Sequence, residues 1–402
     1  MRALANDARL LLDVTRLIWR RWDGRRPTGV DRVCLAYLEH FADQAQAVVQ
    51  HPRFRRIFDR RSSSELFQLL REPPESFRRA LVGRALRRLG GRSCGSDGRL
   101  YLNIGHTGLD SEGFRAWLRK SGVRPIYFVH DLIPITHPQF CRAGEAEIHR
   151  ERMRTVLETG CGVIGNSRTT LDALKQFADE EALPVPPAVA AWLGCTALSA
   201  SAHDLPAAER PTFLALGTIE GRKNHLLLLE IWSRLVARLG ADAPRLLIIG
   251  QRGWQAEGVF EILDRDETLH GHVFELGNCS DQELARHLLT SRAALFPSNA
   301  EGFGLPLVEA LSIGVPVIAS DLPAFHEIGQ GVPLLISPAD AGAWEAAILD
   351  YARPESAARA AQLERVQSFR RFDWAMHFRI VEQWLTSLGS GAAAPSSIRP
   401  GL

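Results

Sequence analysis

Two glutamates flank a glycine-rich turn near the start of the chain's last quarter. Glu301 and Glu309 stand on either side of the sequence Gly-Phe-Gly-Leu-Pro, at residues 302–306. The two glycines allow a ligand to approach the backbone closely, and a helix that begins here is electropositive at its start. The backbone N–H groups at that start belong to Phe303, Gly304 and Leu305. This turn is therefore a candidate seat for a phosphate or a diphosphate.

Carboxylates beside an anion seat repel the ligand unless they accept hydrogen bonds from it. Sugars and ribose carry the hydroxyl groups that carboxylates accept from. A nucleotide sugar thus satisfies both the anion seat and the two glutamates. The alternative is an ordinary helix start, whose first-turn acids favour the helix's own dipole.

The elements around this turn predict half of a doubly wound sheet. Residues 293–296 are apolar and predict a short buried strand, residues 297–302 predict the loop at its carboxyl end, and Pro306 suits the first turn of a helix. A second apolar run follows and ends at Asp321. The order strand, loop, helix, strand is typical of an α/β fold.

A second candidate anion seat precedes the first by about eighty residues. The apolar run 213–216 predicts a strand, and Gly217 follows it. Two adjacent cations, Arg222 and Lys223, then precede a predicted helix at 226–239. A glycine-bearing loop, two cations and a helix start suit an anion. Solvated cations at a helix start are the alternative.

The first half of the chain places polar residues after several predicted strands. A parallel sheet binds ligands at the carboxyl ends of its strands, so these positions favour a site. A cap explains Ser167 equally well, since it stands at a helix start. The residues in question are Gly29, His106, His130, Asp131 and Ser167.

The chain resembles retaining glycosyltransferases of the GT-B fold, family 4 in particular, over roughly residues 9–385 and most strongly over 213–327. The resemblance depends on Glu301 and Glu309 with seven residues between them, on the turn at 302–306, and on the strand that ends at Asp321. It implies an α/β protein with two facing Rossmann-like domains, a cleft between them, and a donor bound mainly by the second domain.

The resemblance also implies roles for individual residues. Lys223, with Arg222, would neutralise the leaving diphosphate, although many relatives carry an arginine where this chain has Thr218. Glu301 would hold donor-sugar hydroxyls and Glu309 the ribose. The catalytic residues would be His130, Lys223 and Glu301, with His130 beside the far side of the sugar.

Further residues follow from the same resemblance. Gly29 would face the diphosphate from across the cleft, and the backbone of residues 277–279, beginning at Gly277, would hold the nucleobase. Gly217 would belong to the phosphate-binding loop. Asp131, His106 and Ser167 would line the cleft, and we expect Asp31 and Arg32 to face the acceptor.

The resemblance implies a retaining transfer in which the leaving phosphate takes the acceptor's proton. We expect no metal and no cofactor besides the donor. Asp264-Arg265-Asp266 matches a metal-binding Asp-x-Asp pattern, but it stands where a helix ends ahead of a strand, at the wrong sheet edge. We therefore interpret it as a solvated turn.

The resemblance favours transfer of a hexose, mannose from GDP-mannose, to a lipid-linked or growing glycan of a bacterial surface polysaccharide such as lipopolysaccharide, O-antigen or exopolysaccharide. Two alternatives stay open. A nucleotide-sugar epimerase on the same fold would need no acceptor. A non-catalytic protein that binds sugar nucleotides would keep the fold alone.

Composition limits the partners and the compartment. A net charge of +2 gives no whole-chain field for nucleic acid, and the six cysteines lack paired Cys-x-x-Cys spacing. We expect a cytoplasmic protein that is neither exported nor membrane-spanning, because no long apolar run occurs. The arginine-rich stretch Arg53 to Arg92 predicts either contact with an anionic membrane, peripheral on the inner face of the plasma membrane, or a helical insertion packed on its domain.

Composition predicts a linker at 196–208 and a disordered tail at 389–402. The resemblance implies the other parts, which are an acceptor-side domain at 1–195, a nucleotide-sugar domain at 209–372, and a closing helix at 373–388 that packs back on the first domain.

Overall fold

The computed structural model describes residues 10–24, 28–51, 54–88, 95–195, 198 and 210–390. The chain divides into two compact units. Unit 1 comprises Met1–Leu132, Glu147–Trp192 and Trp374–Leu402, and unit 2 comprises Ile133–Ala146 and Leu193–Asp373. Unit 2 thus includes 133–146, which the sequence analysis placed in the first domain. The predicted linker, except residue 198, and residues 391–402 of the predicted tail lie outside the described residues.

Each unit contains one sheet. The strands described in unit 1 are β1 (Leu10–Asp13), β2 (Ala45–His51), β3 (Phe54–Ile57), β4 (Leu100–Asn103), β5 (Arg124–Val129), β6 (Gly162–Gly165) and β7 (Ala188–Ala190). The strands described in unit 2 are β8 (Thr212–Leu216), β9 (Arg245–Ile249), β10 (Val273–Leu276), β11 (Ala293–Phe296), β12 (Val317–Ser320) and β13 (Leu334–Ile336).

Helices connect these strands. Those of the first half are α1 (Thr15–Trp22), α2 (Gly29–Phe41), α3 (Arg60–Arg71), α4 (Phe77–Arg88), α5 (Glu112–Ser121), α6 (Ile133–Thr136), α7 (Glu145–Thr159) and α8 (Arg168–Glu180). Those of the second half are α9 (His225–Leu239), α10 (Glu257–Arg265), α11 (Asp281–Thr290), α12 (Leu305–Ser312), α13 (Pro323–Gly329), α14 (Ala341–Ala352), α15 (Ala357–Val366) and α16 (Trp374–Ser390). No helix of the described ranges combines the length and the apolar character that crossing a bilayer requires.

The strand order confirms the predicted α/β class. The sheet of unit 2 runs β10-β9-β8-β11-β12-β13, and that of unit 1 runs β3-β2-β1-β4-β5-β6-β7. All paired strands are parallel except β2 and β3. The order in unit 2 is that of a doubly wound Rossmann sheet, in which ligands bind where the strand order reverses, outside the carboxyl ends of the strands. In unit 2 this point lies between β8 and β11.

Apolar side chains cover the sheet of each unit. In unit 2 the indole of Trp232 on α9 packs edge-on against Phe213 of β8, with 6.0 Å between ring centroids. In unit 1 the ring of Phe378 on α16 lies 5.0 Å from that of Tyr37 on α2. Helix α16 therefore belongs to the core of unit 1, although it follows unit 2 in the chain.

The arginine-rich stretch is described over residues 54–88. Helix α3 buries an apolar face made of Leu66, Phe67, Leu69 and Leu70. This face belongs to the core of unit 1, so α3 matches the packed alternative of the sequence analysis. Arg53 and residues 89–92 of the stretch lie outside the described residues.

Candidate functional site

Two loops meet at the reversal of strand order in unit 2. One follows β8 and contains a short 3-10 helix at Gly221–Lys223, and the other follows β11 and leads into α12. The two strands pair directly, with Leu295 opposite Ala215. The sheet therefore brings the cations of the first loop to the acid of the second.

Glu301 is the centre of this meeting point. Its carboxylate accepts hydrogen bonds from the Lys223 ammonium at 2.5 Å, from the Arg222 guanidinium at 2.8 Å and from the Ser298 hydroxyl at 2.7 Å. The Glu301 side chain is 6% exposed and that of Lys223 is 11% exposed. Both charges are thus largely removed from water, and ion pairs buried in this way are screened much less than exposed ones.

A second acid holds the arginine. The Nε of Arg222 lies 2.7 Å from a carboxylate oxygen of Glu220, which is buried. The other side of the guanidinium donates to the Ala300 carbonyl at 3.1 Å. We call Glu220, Arg222, Lys223, Ser298 and Glu301 the Glu301 cluster. The sequence analysis missed Glu220 and Ser298, although the Glu-x-Arg spacing was visible.

The charges of the cluster set its protonation. Burial raises the pKa of Glu301, but the charges of Lys223 and Arg222 outweigh burial and lower it to about 2. Burial also lowers the pKa of Lys223, which Glu301 partly restores. Burial raises the pKa of Glu220, and the charges of the same two cations lower it by less. The carboxylate of Glu301 is therefore ionised at neutral pH and neutralises the cations predicted to meet a diphosphate.

Two glycines shape the backbone at this site. Gly304 adopts a φ of +102° at the start of α12, and an added Cβ would lie 2.6 Å from the ring of Phe325. Gly217 adopts a φ of +135° directly after β8. Both conformations disfavour residues with a Cβ, so the two loops depend on these glycines.

The other predicted donor residues lie on the same edge of the sheet. Phe303 and Leu305 are buried beside Gly304, and Glu309 is buried one turn into α12. Gly277 follows β10, which β9 separates from β8. Strands β8, β9, β10 and β11 are parallel, so their carboxyl ends lie at one edge of the sheet. The roles of these residues stay predictions.

The predicted histidines lie in unit 1, where they cap each other's strands. The Nε2 of His130, after β5, donates to the Ile104 carbonyl at 2.7 Å. The Nε2 of His106, after β4, donates to the Phe128 carbonyl at 2.7 Å. Since a carbonyl only accepts, both rings carry their proton on Nε2. The two rings lie 5.2 Å apart.

Both histidines are kept neutral. Burial lowers the pKa of His130 to about 4. Burial, followed by the neighbouring His130 and His149, lowers the pKa of His106 well below its usual range. The ring of His149 lies 5.9 Å from His106, and its Nε2 donates to the Asp131 carbonyl at 3.1 Å. His149 was missed by the sequence analysis, because it lies within a helix rather than after a strand.

Ser167 caps a helix close to His130. Its hydroxyl accepts a hydrogen bond from the Thr170 N–H at 3.0 Å at the start of α8. The neighbouring Asn166 donates its amide to the His130 carbonyl at 2.6 Å. The cap therefore also fixes the backbone at His130, which supports a positional role for this turn.

The expectation that Asp31 faces an acceptor is wrong. Its carboxylate is 1% exposed and lies 2.7 Å from the Nε of Arg16 and 2.8 Å from the Nε of Arg20. It also accepts the N–H of Thr28, which closes a capping box at the start of α2. Gly29 is the first residue of this helix, and an added Cβ there meets no atom within 4 Å.

The Asp-x-Asp pattern is committed to other contacts. Asp264 lies 2.6 Å from Arg252, and Asp266 accepts the N–H of Thr268 at 3.0 Å. Both carboxylates thus have partners within unit 2. Nowhere in the described ranges do three His, Cys, Asp or Glu side chains form a group that could hold a metal ion.

Comparison with known proteins matches the second unit to a family. Residues 210–353 match the family model described as glycosyl transferases group 1. The serotype-specific mannosyltransferase WbdA of Escherichia coli is 32% identical over 228 residues, which cover 53% of this chain and 28% of WbdA. O-antigen chain mannosyltransferase B of Escherichia coli is 32% identical over 161 residues, which cover 40% of this chain and 42% of that protein. The chain thus spans less than half of the length of these two relatives.

Solved structures share the fold over nearly the whole chain. Anabaena Alr3699/HepE, solved in complex with UDP and glucose, superposes with a TM-score of 0.64 and covers 94% of this chain and 99% of that chain. The identity is 15%, so this likeness concerns the fold. It confirms the GT-B architecture that the sequence analysis predicted.

Proposed function

We propose that the protein is a glycosyltransferase, because residues 210–353 match the family model described as glycosyl transferases group 1. It moves a hexose from a nucleotide sugar to a glycan or lipid-linked acceptor during assembly of a bacterial surface polysaccharide. The observation that carries this proposal is the Glu301 cluster, which joins two cations and a carboxylate at the reversal of strand order. Ligands bind to doubly wound sheets at this point.

We propose GDP-mannose as the donor. The relatives that support this choice are named as mannosyltransferases. The leaving group of such a donor is a nucleoside diphosphate, whose charge grows as the glycosidic bond breaks. Fixed positive groups stabilise such a charge most when they lie in a site that excludes water. We propose that Lys223 and Arg222 supply these positive groups and that no metal ion is required.

The cluster also gives Glu301 a part in the reaction. When the diphosphate binds Lys223 and Arg222, it competes with the Glu301 carboxylate for the same cations. The released carboxylate then accepts hydrogen bonds from hydroxyl groups of the sugar. Transfer proceeds with retention, as the leaving phosphate oxygen takes the acceptor's proton and no enzyme nucleophile is required. His130, held in its neutral form by burial, is the residue of unit 1 to which we assign a part in the reaction.

Binding of nucleotides tests the donor. Thermal unfolding is followed with GDP, UDP and dTDP, each with and without Mg²⁺, on the wild type, on Lys223→Ala and on the control Lys175→Ala, whose exposed lysine lies on α8 of unit 1. Of the three nucleotides, we expect only GDP to stabilise the wild type and the control, both with and without Mg²⁺. We expect GDP not to stabilise Lys223→Ala. Stabilisation by none of the three would contradict the proposal.

The stereochemistry is tested by the slow hydrolysis of GDP-mannose, in which water replaces the acceptor. Proton NMR during the first minutes should show α-mannose, since the donor is an α-mannoside and retention keeps that configuration. Initial release of β-mannose would refute retention. Conversion of the donor to another nucleotide sugar, without release of GDP, would favour the epimerase.

A further inference from the structure

Aromatic side chains form an exposed stack on unit 1. The ring of His51, at the end of β2, lies 6.2 Å from that of Trp19 on α1 and 5.1 Å from that of Phe54 on β3, with interplanar angles of 24° and 21°. Trp19 is 44% exposed and Phe54 is 51% exposed. Rings left exposed on a folded unit form a patch that other molecules can cover.

The surface beside this stack continues with Trp22 of α1 and with residues of α4. Trp22 lies one turn after Trp19, on the same face of α1. The Nε of Arg78 on α4 donates to the Trp22 carbonyl at 2.6 Å, and its guanidinium lies 5.4 Å from the centre of the Trp22 ring. Arg79 and Val82 of α4 are also exposed. We call the surface formed by Trp19, Trp22, His51, Phe54, Arg78, Arg79 and Val82 the α1–α4 face.

The charge of α4 has one sign. Its sequence, Phe-Arg-Arg-Ala-Leu-Val-Gly-Arg-Ala-Leu-Arg-Arg, contains five arginines and no acid. Helix α1 also contains no acid, but two of its three arginines, Arg16 and Arg20, pair with Asp31 of α2. By contrast α3, the other helix of the arginine-rich stretch, buries its apolar face in the core of unit 1. The exposed arginines Arg78 and Arg79 and the exposed rings of Trp19 and Phe54 thus coincide on the α1–α4 face.

We infer that the α1–α4 face docks unit 1 on an anionic lipid membrane. Tryptophan and phenylalanine suit the boundary between headgroups and acyl chains, and arginines attract anionic headgroups. Charge complementarity favours a membrane over a second copy of this chain, since two such faces repel each other. This inference goes beyond the proposed function, because it concerns where the protein works rather than what it transfers.

Vesicle co-sedimentation tests the inference on the full chain. The vesicles contain phosphatidylcholine alone, or phosphatidylcholine with about one third phosphatidylglycerol. The wild type should bind the anionic vesicles and not the neutral ones. Each basic residue near an anionic surface contributes about 1 kcal/mol, a factor of about five, so the double variant Arg78→Ala/Arg79→Ala should bind roughly thirtyfold more weakly.

Matched variants keep the result specific. Arg234→Ala/Arg238→Ala removes the same charge from α9 of unit 2, where both arginines lie near Glu345 and are about half exposed. Phe274→Ala removes an exposed phenylalanine from β10, as Phe54→Ala does from β3. Binding should weaken in Phe54→Ala and in Trp19→Ala and persist in both unit 2 variants. Circular dichroism confirms that each variant is folded.

Three outcomes would overturn the inference. The first is a wild type that ignores anionic vesicles. The second is an equal loss of binding in the unit 1 and unit 2 variants, which would indicate attraction to the whole chain's charge. The third is arginine-dependent binding to single-stranded RNA together with no binding to vesicles, which would make the face a nucleic-acid surface.

Discussion

The ammonium group of Lys223 lies 2.5 Å from the carboxylate of Glu301, which follows it by 78 positions in the chain. The pair is buried, and Arg222 joins it from the same loop. In this arrangement Glu301, which is predicted to bind a sugar, neutralises Arg222 and Lys223, which are predicted to bind a diphosphate. Binding of the proposed donor would therefore replace the contact between Glu301 and the two cations by contacts with the donor.

Glu301→Gln should strengthen the binding of free GDP and abolish transfer. The neutral amide no longer competes for the two cations, and a hydrogen bond between charged groups is worth about 1.5–3 kcal/mol, so we expect an affinity gain of about tenfold. Isothermal titration calorimetry measures it. Glu364→Gln, on the exposed side of α15, serves as the control. Weaker binding of GDP to Glu301→Gln would show that Glu301 contacts the nucleotide directly.

Gly304→Ala should destabilise unit 2 by about 3 kcal/mol. The residue has a φ of +102°, and its new Cβ would meet the ring of Phe325 at 2.6 Å. Strain of this kind and overpacking each cost about 1–3 kcal/mol. Urea unfolding checks the change. The matched control Gly258→Ala, in α10 with open space around it, should be stabilised by up to about 1 kcal/mol. Equal effects would contradict the geometry at Gly304.

Acid should destabilise unit 1 through its neutral histidines. Burial lowers the pKa of His130 to about 4 in the folded chain, against about 6.5 when the chain is unfolded. The unfolded state therefore binds more protons below pH 6.5, so stability is full above this value and is lost as the pH falls towards 4. We expect a loss of about 1 kcal/mol for this residue at pH 5.5. Urea unfolding between pH 7.5 and 4.5 measures it.

His106→Asn separates this effect from general acid unfolding. Asparagine tolerates the left-handed φ of 58° at this position but does not titrate. The variant should depend less on pH than the wild type, because one neutral histidine has been removed. The exposed His270 is the control, and His270→Asn should keep the wild-type slope. An unchanged slope in His106→Asn would refute a role of His106 in acid sensitivity.

Asp31→Asn should destabilise unit 1 by about 3 kcal/mol. The change leaves Arg16 and Arg20 without their buried partner carboxylate and weakens the cap of α2. Chemical denaturation measures the loss, with the exposed Asp43→Asn as the control. If Asp31→Asn kept the stability of the wild type but lost transfer activity, the result would favour the acceptor role of Asp31, which the structure does not support.

Short or polar strands were the part of the fold that sequence patterns missed. β3 reads Phe-Arg-Arg-Ile, and β7 and β13 contain three residues each. β2 mixes glutamines and a histidine with its apolar residues. Such segments have too few apolar residues to show an alternation, and they become strands because a neighbouring strand supplies their hydrogen bonds.

The sequence by itself determined the α/β class and the loops that carry the chemistry. Apolar runs that end in glycine, histidine or acid place those residues at strand ends, and this pattern is local. Only the tertiary structure decided which side chains meet. Glu301 binds Lys223 because β11 pairs with β8, and His106 and His130 cap each other's strands because β4 pairs with β5. Strand order arises from packing of the whole unit, so no stretch of sequence contains it.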